Sequence, residues 1–152
     1  MKIWVDADAC PGQIRDVILR AAHRLSVHTV FVANKPVLLP QSIYFSTVQV
    51  SNAPDAADQY IVDNAQPGDL AVTQDIPLAA QLVPSGVIVI SPRGDSYNHE
   101  NVADLLARRN LMQELRDSGS VTGGPRPFDD TLKRQFANLL DAALHRLLRN
   151  SS

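Results

Sequence analysis

Across the first ninety positions, apolar residues come in short runs that stop at polar or acidic residues, with helical periodicity between the runs. Few architectures accommodate that alternation. Ile3-Trp4-Val5 is too short for a helix, stops at Asp6 and reads as a strand buried on both faces. After Pro11 and Gly12, the residues Ile14, Val17, Ile18, Ala21, Ala22 and Leu25 recur at three- and four-residue steps. This is the pattern of an amphipathic helix, with Pro11 suited to its first turn. Residues 28–33 and 47–50 are β-branched and apolar and end at Asn34-Lys35-Pro36 and Ser51-Asn52-Ala53-Pro54, giving strands two and three. Asp55 stands where a helix N-cap belongs, before Ala56, Ala57, Tyr60, Ile61 and Ala65, and Pro67-Gly68 ends that segment. A fourth strand at 70–73, a short helix at 77–82 and a fifth strand at 87–90 complete the series. Alternation of this kind predicts a three-layer α/β/α fold around a mainly parallel five-stranded sheet, with helices covering both faces.

Two helical stretches follow, 101–116 and 129–149, separated by a Gly-, Ser- and Pro-rich segment at 117–127 that reads as a loop within one domain. The last stretch carries Leu132, Phe136, Leu139, Leu140, Ala143, Leu144, Leu147 and Leu148 on one stripe. Either the same core covers that stripe or a second copy does, so a dimer is open. A length of 152 residues with 45% apolar content suits a single domain, 1–150, with one core. The net charge of -2 excludes a chain that coats nucleic acid or membrane by bulk charge. A lone Cys10 cannot form an internal disulfide, and the opening turns acidic too soon for a signal peptide. No apolar run approaches the roughly 20 residues that span a bilayer. A cytoplasmic setting without a membrane partner is expected.

In an open parallel sheet, ligands bind beyond the carboxyl ends of the strands. Strand one is followed by Asp6 and Asp8, strand two by Asn34 and Lys35, and strand three by Asp55 and Asp58. Strand four is followed by Thr73 and Asp75, and strand five by Ser91, Arg93 and Asp95. Asp69 precedes its strand and belongs to the opposite edge. Carboxylates converging on one crevice repel one another unless a cation neutralises them, and hard oxygen ligands suit Mg²⁺ or Mn²⁺ rather than zinc. The candidate ligands are Asp6, Asp8, Asp55, Asp58 and Asp75, and Asp6, Asp8, Asp58 and Asp75 are also the candidate catalytic groups. Thr73 and Asn34 are candidate supporting groups. Lys35, Arg93 and Arg126 are the cations placed to meet a phosphate at the crevice rim. Such a set suits phosphodiester hydrolysis. Helix capping is the alternative for Asp6, Asp8, Asp55 and Asp75, and a dipole contact for Asp58. Cys10 lacks a histidine partner, the four histidines lack metal-ligand spacing, and no phosphate-binding glycine motif occurs.

Four segments carry a resemblance. Lys2-Ile-Trp-Val-Asp-Ala-Asp-Ala-Cys-Pro11, Asp55-Ala-Ala-Asp-Gln-Tyr-Ile61, Gly68-Asp-Leu-Ala-Val-Thr-Gln-Asp-Ile-Pro-Leu-Ala79 and Gly123-Gly-Pro-Arg-Pro-Phe128 together resemble the YaiI/YqxD family of bacterial proteins. The resemblance implies a PIN-like nuclease fold, with acidic metal ligands after the first strand, in a helix and after the fourth strand. Asp6, Asp58 and Asp75 occupy those places, and Asp58 is one methylene shorter than the Glu often found there. By that analogy single-stranded RNA is favoured over DNA as substrate. Two other readings stand beside it. One is a non-catalytic metal- or nucleic-acid-binding module. The other is a haloacid-dehalogenase-type phosphatase, whose Asp-x-Asp opening the chain shares but whose later acidic pair it places before, not after, a strand.

Overall fold

A computed structural model describes residues 1–117, 119 and 129–150. Among these residues six strands form one sheet in the order β3-β2-β1-β4-β5-β6. These are β1 Lys2–Asp6, β2 His28–Ala33, β3 Phe45–Gln49, β4 Leu70–Val72, β5 Ile88–Ile90 and β6 Ser96–Tyr97. The first five pair in parallel and β6 returns antiparallel to β5. The expected five-stranded sheet is therefore corrected to six. A two-residue strand carries no periodicity, and β6 forms because the turn at Gly94 folds Ser96 back onto Ile90. Gly94 has a φ of +87°, and a Cβ there would lie 2.9 Å from the Gln135 side chain. Only glycine suits that approach to the last helix.

Among the described residues five α-helices complete the layers: α1 Gly12–Leu25, α2 Ala56–Asn64, α3 Ile76–Leu82, α4 Val102–Asp117 and α5 Asp130–Asn150. One face of the sheet, with Ile3, Val5, Phe31, Leu70, Val72 and Ile90, packs on α1 and α5. The other face, with Trp4, Val30, Val32, Ala71 and Val89, packs on α2, α3 and the start of α4. Successive side chains point to opposite faces, so a strand covered on both sides must be apolar throughout. That is why β1, β2 and β4 read as unbroken runs. Within the stripe on α5, Leu132, Phe136, Leu140, Ala143, Leu144 and Leu147 are buried within the chain itself. By contrast α4 joins the core only near Val102 and Leu105, and Leu111 and Met112 are exposed.

Residues 34–44, between β2 and β3, contain no helix, so the regular alternation of strand and helix fails once. Pro36 and Pro40 interrupt any helical hydrogen bonding there, and Leu38 and Ile43 point to solvent. The segment 117–127 that reads as a loop lies, apart from Asp117 and Gly119, outside the described residues. Among the described residues no helix is long and apolar enough to cross a membrane.

Candidate active site

The chain runs from β1 outward to β2 and β3, then returns to place β4 on the other side of β1. The switch in direction falls between β1 and β4, which is where open α/β sheets open a crevice beyond their strand ends. Asp6 is the last residue of β1 and Thr73 follows β4, so both stand at that switch. Their side chains meet: the Thr73 hydroxyl donates to Asp6 Oδ2 at 3.0 Å. The same hydroxyl accepts the Asp75 backbone N–H at 2.9 Å, and both Asp6 and Thr73 are buried. Asp6 is thus held rigidly, with one oxygen committed to a neutral donor.

A short 3-10 turn over Ala7–Ala9 swings Asp8 sideways toward β2, where Asp8 Oδ2 accepts the Asn34 backbone N–H at 2.9 Å. Asn34 thus supports the site through its main chain rather than its amide side chain. Gln74, which the sequence reading passed over, ties the turn to the β4–α3 loop by donating to the Ala9 carbonyl at 3.0 Å. Asp75 caps α3, Oδ1 accepting the Leu78 N–H at 2.9 Å. The capping alternative is therefore real for Asp75, yet it does not exhaust the residue, because Asp75 also faces Asp58 across the cleft.

Asp6, Asp8, Asp58 and Asp75 line one cleft of about 240 Å3 together with Asn34, Ser51 and Pro54. Within it Asp58 is pushed up to about 7, first by burial, then by a hydrogen bond and charge repulsion from Asp75, with Asp6 and Asp55 adding repulsion. Asp6 is also raised, chiefly by burial, against which the Thr73 hydrogen bond pulls it down and the charges of Asp75 and Asp8 push it up. Burial first and the neighbouring carboxyls second thus leave Asp58 protonated up to about pH 7, in hydrogen-bond reach of Asp75. Asp55 occupies the N-cap position of α2 but makes no capping hydrogen bond, is exposed, and stands outside the cleft lining. It acts on the site through its charge on Asp58.

Of the expected phosphate-steering cations, Lys35 stands in a neighbouring pocket that shares Asp8 with the cleft. Arg93 lies in the β5–β6 turn, its N–H on Ser91 Oγ at 3.0 Å, and is not part of the cleft wall. Arg126 falls outside the described residues. Arg15, in the first turn of α1, was missed, and it lines the same pocket as Lys35. Its signal was available, since the helix that follows the acidic strand end must present its first turn to the crevice. Asp69 lies where its place before β4 put it: buried at the opposite edge, it accepts from the Lys2 N–H at 3.0 Å, the Trp4 indole at 3.0 Å and the Gln66 N–H at 2.9 Å.

The donor set is all oxygen and all carboxylate, which suits a hard divalent cation. Among the described residues, however, no three His, Cys, Asp or Glu side chains stand ready as a preformed ligand group.

Fold and cleft define a class: a three-layer α/β/α domain with a carboxylate cluster at its topological switch point. The model of the "Uncharacterized BCR, YaiI/YqxD family" matches residues 4–146, and the chain belongs to that family. It is 60% identical over 149 residues to a "UPF0178 protein" of Myxococcus xanthus, covering 98% of this chain and 97% of the relative. Proteins of the same name from Syntrophobacter fumaroxidans and Marinobacter nauticus are 52% and 48% identical, covering 93% and 98% of this chain and 92% and 99% of theirs. No solved structure matches the chain significantly.

Proposed function

We propose that the chain is a divalent-metal-dependent nuclease that hydrolyses phosphodiester bonds, with single-stranded RNA as the favoured substrate. The observation that carries this reading is the meeting of Asp6, Asp8, Asp58 and Asp75 in one cleft at the switch point, where burial first and the neighbouring carboxyls second raise Asp58 to about 7. Carboxylates arranged to repel one another store unfavourable energy that a cation relieves, and such perturbed groups concentrate at functional sites. Asp6, Asp58 and Asp75 would hold Mg²⁺ or Mn²⁺, with Asp8 at the rim toward the cationic pocket. A cation bound there supplies charge neutralisation for the phosphate and acidifies an attacking water. Thr73 holds Asp6 in one orientation and, through the Asp75 N–H, keeps α3 in register with it. In the metal-free protein Asp58 is raised to about 7, so a cation bound there would displace a proton from it near neutrality. Lys35 and Arg15 meet the phosphate from the side of Asp8.

Purified protein incubated with single-stranded RNA or DNA and Mn²⁺ or Mg²⁺ tests the reading. Cleavage is expected for the wild type, with a loss of about a hundredfold or more in Asp6→Asn and Asp75→Asn. Equal cleavage by wild type and variants refutes it. The lack of a preformed three-ligand group among the described residues favours a second reading, a non-catalytic binding module. That reading predicts metal or nucleic-acid binding that depends on Asp6, with no cleavage of any substrate. A phosphatase mechanism requires attack by the Asp6 carboxylate, which is buried and partly committed to Thr73. Release of phosphate from small monoesters through a trapped aspartyl intermediate would decide for it.

A further inference from the structure

Next to the acidic cleft lies a second concavity, of about 400 Å3, with the opposite chemistry. Arg15 reaches it from the first turn of α1 and Lys35 from the end of β2, while Pro36 and Leu38 form an apolar wall. Asp8 lines both this pocket and the acidic cleft, so the two hollows are contiguous. Cys10 also lines it. Of the charged side chains in its wall, two are cations and one is a carboxylate.

Among the described residues neither Arg15 nor Lys35 is ion-paired. Arg24 shows the contrast. It lines the larger groove between α1 and α5 and spends its charge on Asp141 at 2.6 Å. Leu38 is 89% exposed and lines the same pocket as the two cations. A volume of about 400 Å3 falls within the range of roughly 300–1,000 Å3 typical of small-ligand sites. Cations paired with an apolar wall suit a ligand that is anionic at one end and flat and apolar at the other.

We propose that this pocket holds one nucleotide unit of a single-stranded nucleic acid, its phosphate between Arg15 and Lys35 and its base against Pro36 and Leu38. The adjoining phosphodiester of the strand then enters the acidic cleft past Asp8. The proposal rests on the phosphodiesterase reading above and deepens it. A continuous strand fits better than a free nucleotide because a free nucleotide would fill one hollow and leave the contiguous one unused. Arg15 becomes a positioning residue that sets which bond is presented to the carboxylates.

Binding separates this proposal from the catalytic reading. In Asp6→Asn protein with a chelator present, fluorescence anisotropy follows a short fluorescein-labelled single-stranded oligoribonucleotide, and calorimetry follows adenosine monophosphate. Arg15→Ala and Lys35→Ala are each expected to weaken the oligonucleotide by about tenfold. Each should also make the slope of log affinity against log salt shallower by about 0.7, a change that a purely structural role would not produce. The double variant Arg20→Ala/Lys133→Ala, in the α1–α5 groove, is expected to bind as the parent does. Lys35 is exposed, so its variant carries the test even where Arg15→Ala lowers the melting temperature.

Unchanged affinity and slope in Arg15→Ala and Lys35→Ala, or equal losses in the groove variant, would overturn the proposal. So would absence of oligonucleotide binding, including the case where the monophosphate alone binds. If the Arg15- and Lys35-dependent binding is present but wild-type protein with Mn²⁺ cleaves nothing, the nuclease reading falls and the strand-binding pocket stands.

Discussion

Asp75 illustrates how a single side chain serves fold and site together. One oxygen caps α3 through the Leu78 N–H, and the carboxyl faces Asp58 across the cleft. The two roles are separable by substitution. Asp75→Asn keeps a capping oxygen and is expected to melt near the wild type, whereas Asp75→Ala should lose about 1 kcal/mol of stability. Both should lose metal-dependent activity, so a thermal melt beside a cleavage assay resolves cap from ligand. Thr73→Val removes the hydroxyl that orients Asp6 and is expected to lower metal affinity or activity by roughly 10- to 100-fold, read by titration with Mn²⁺. Asp58 gives a pH signature. Its folded value, about 7, lies above the ordinary aspartate value of 3.8, so the metal-free folded state binds the extra proton between those limits. Its contribution to stability is present below about 4 and is lost as pH rises through about 7. The melting temperature of metal-free protein should therefore fall across that window by more than that of Asp58→Asn, and Mn²⁺ should restore it most at the alkaline end. A parallel fall in both proteins would contradict the assignment.

At the scale of elements, the sequence discloses whatever is long, periodic or bounded by strong punctuation. The burial of β1, β2 and β4 on both faces made them visible as continuous apolar runs, and α1 and α5 show their stripes because each packs along one side. Elements set by contacts distant in the chain were hidden. β6 exists because Gly94 lets the chain turn against α5, and the helix-free path at 34–44 follows from prolines whose consequence is an absence of structure. β3 begins at Phe45, two residues before the run that announced it, because its first residues pair with β2 rather than declare themselves by pattern. Gly94→Ala should accordingly destabilise by about 1–2 kcal/mol or more, combining a left-handed backbone with a clash against Gln135. Chemical denaturation measures it, and an unchanged midpoint would mean that the turn relaxes freely.

The candidate site was legible to the same uneven degree. Asp6, Asp8, Asp58 and Asp75 could be grouped from the sequence because parallel strands deliver their ends to one edge. Which oxygen meets which donor could not, since the Thr73–Asp6 contact joins residues 67 positions apart. Arg93 was drawn in by the same strand-end rule, but it follows β5, one strand beyond β4, and does not reach the cleft wall. Asp55 was grouped with Asp58 by spacing, yet it precedes α2 with a non-helical backbone (φ -112°, ψ 12°), so the helical spacing does not apply to it and it stands exposed, outside the cleft wall that Asp58 lines.

At the scale of the whole molecule, the sheet has a polarity, with the carboxylate-lined cleft at one edge and a structural polar anchor at the other. Asp69 supplies that anchor, accepting three N–H groups that would otherwise be left without partners where β1 begins and β4 enters the sheet. Asp69→Ala should cost about 1–3 kcal/mol for each buried donor left unsatisfied, in practice the Trp4 indole first, while leaving metal affinity of the folded protein intact. A combined melt and Mn²⁺ titration checks both halves. The central claim concerns the opposite edge, that the crowded carboxylates of the switch-point cleft exist to hold a divalent cation. Calorimetric titration of Mn²⁺ into wild-type and Asp6→Asn protein near pH 7 tests it most directly. Saturable binding with proton release near neutrality, lost in Asp6→Asn, is the predicted result. No saturable binding, or equal binding by the two proteins, would contradict the account.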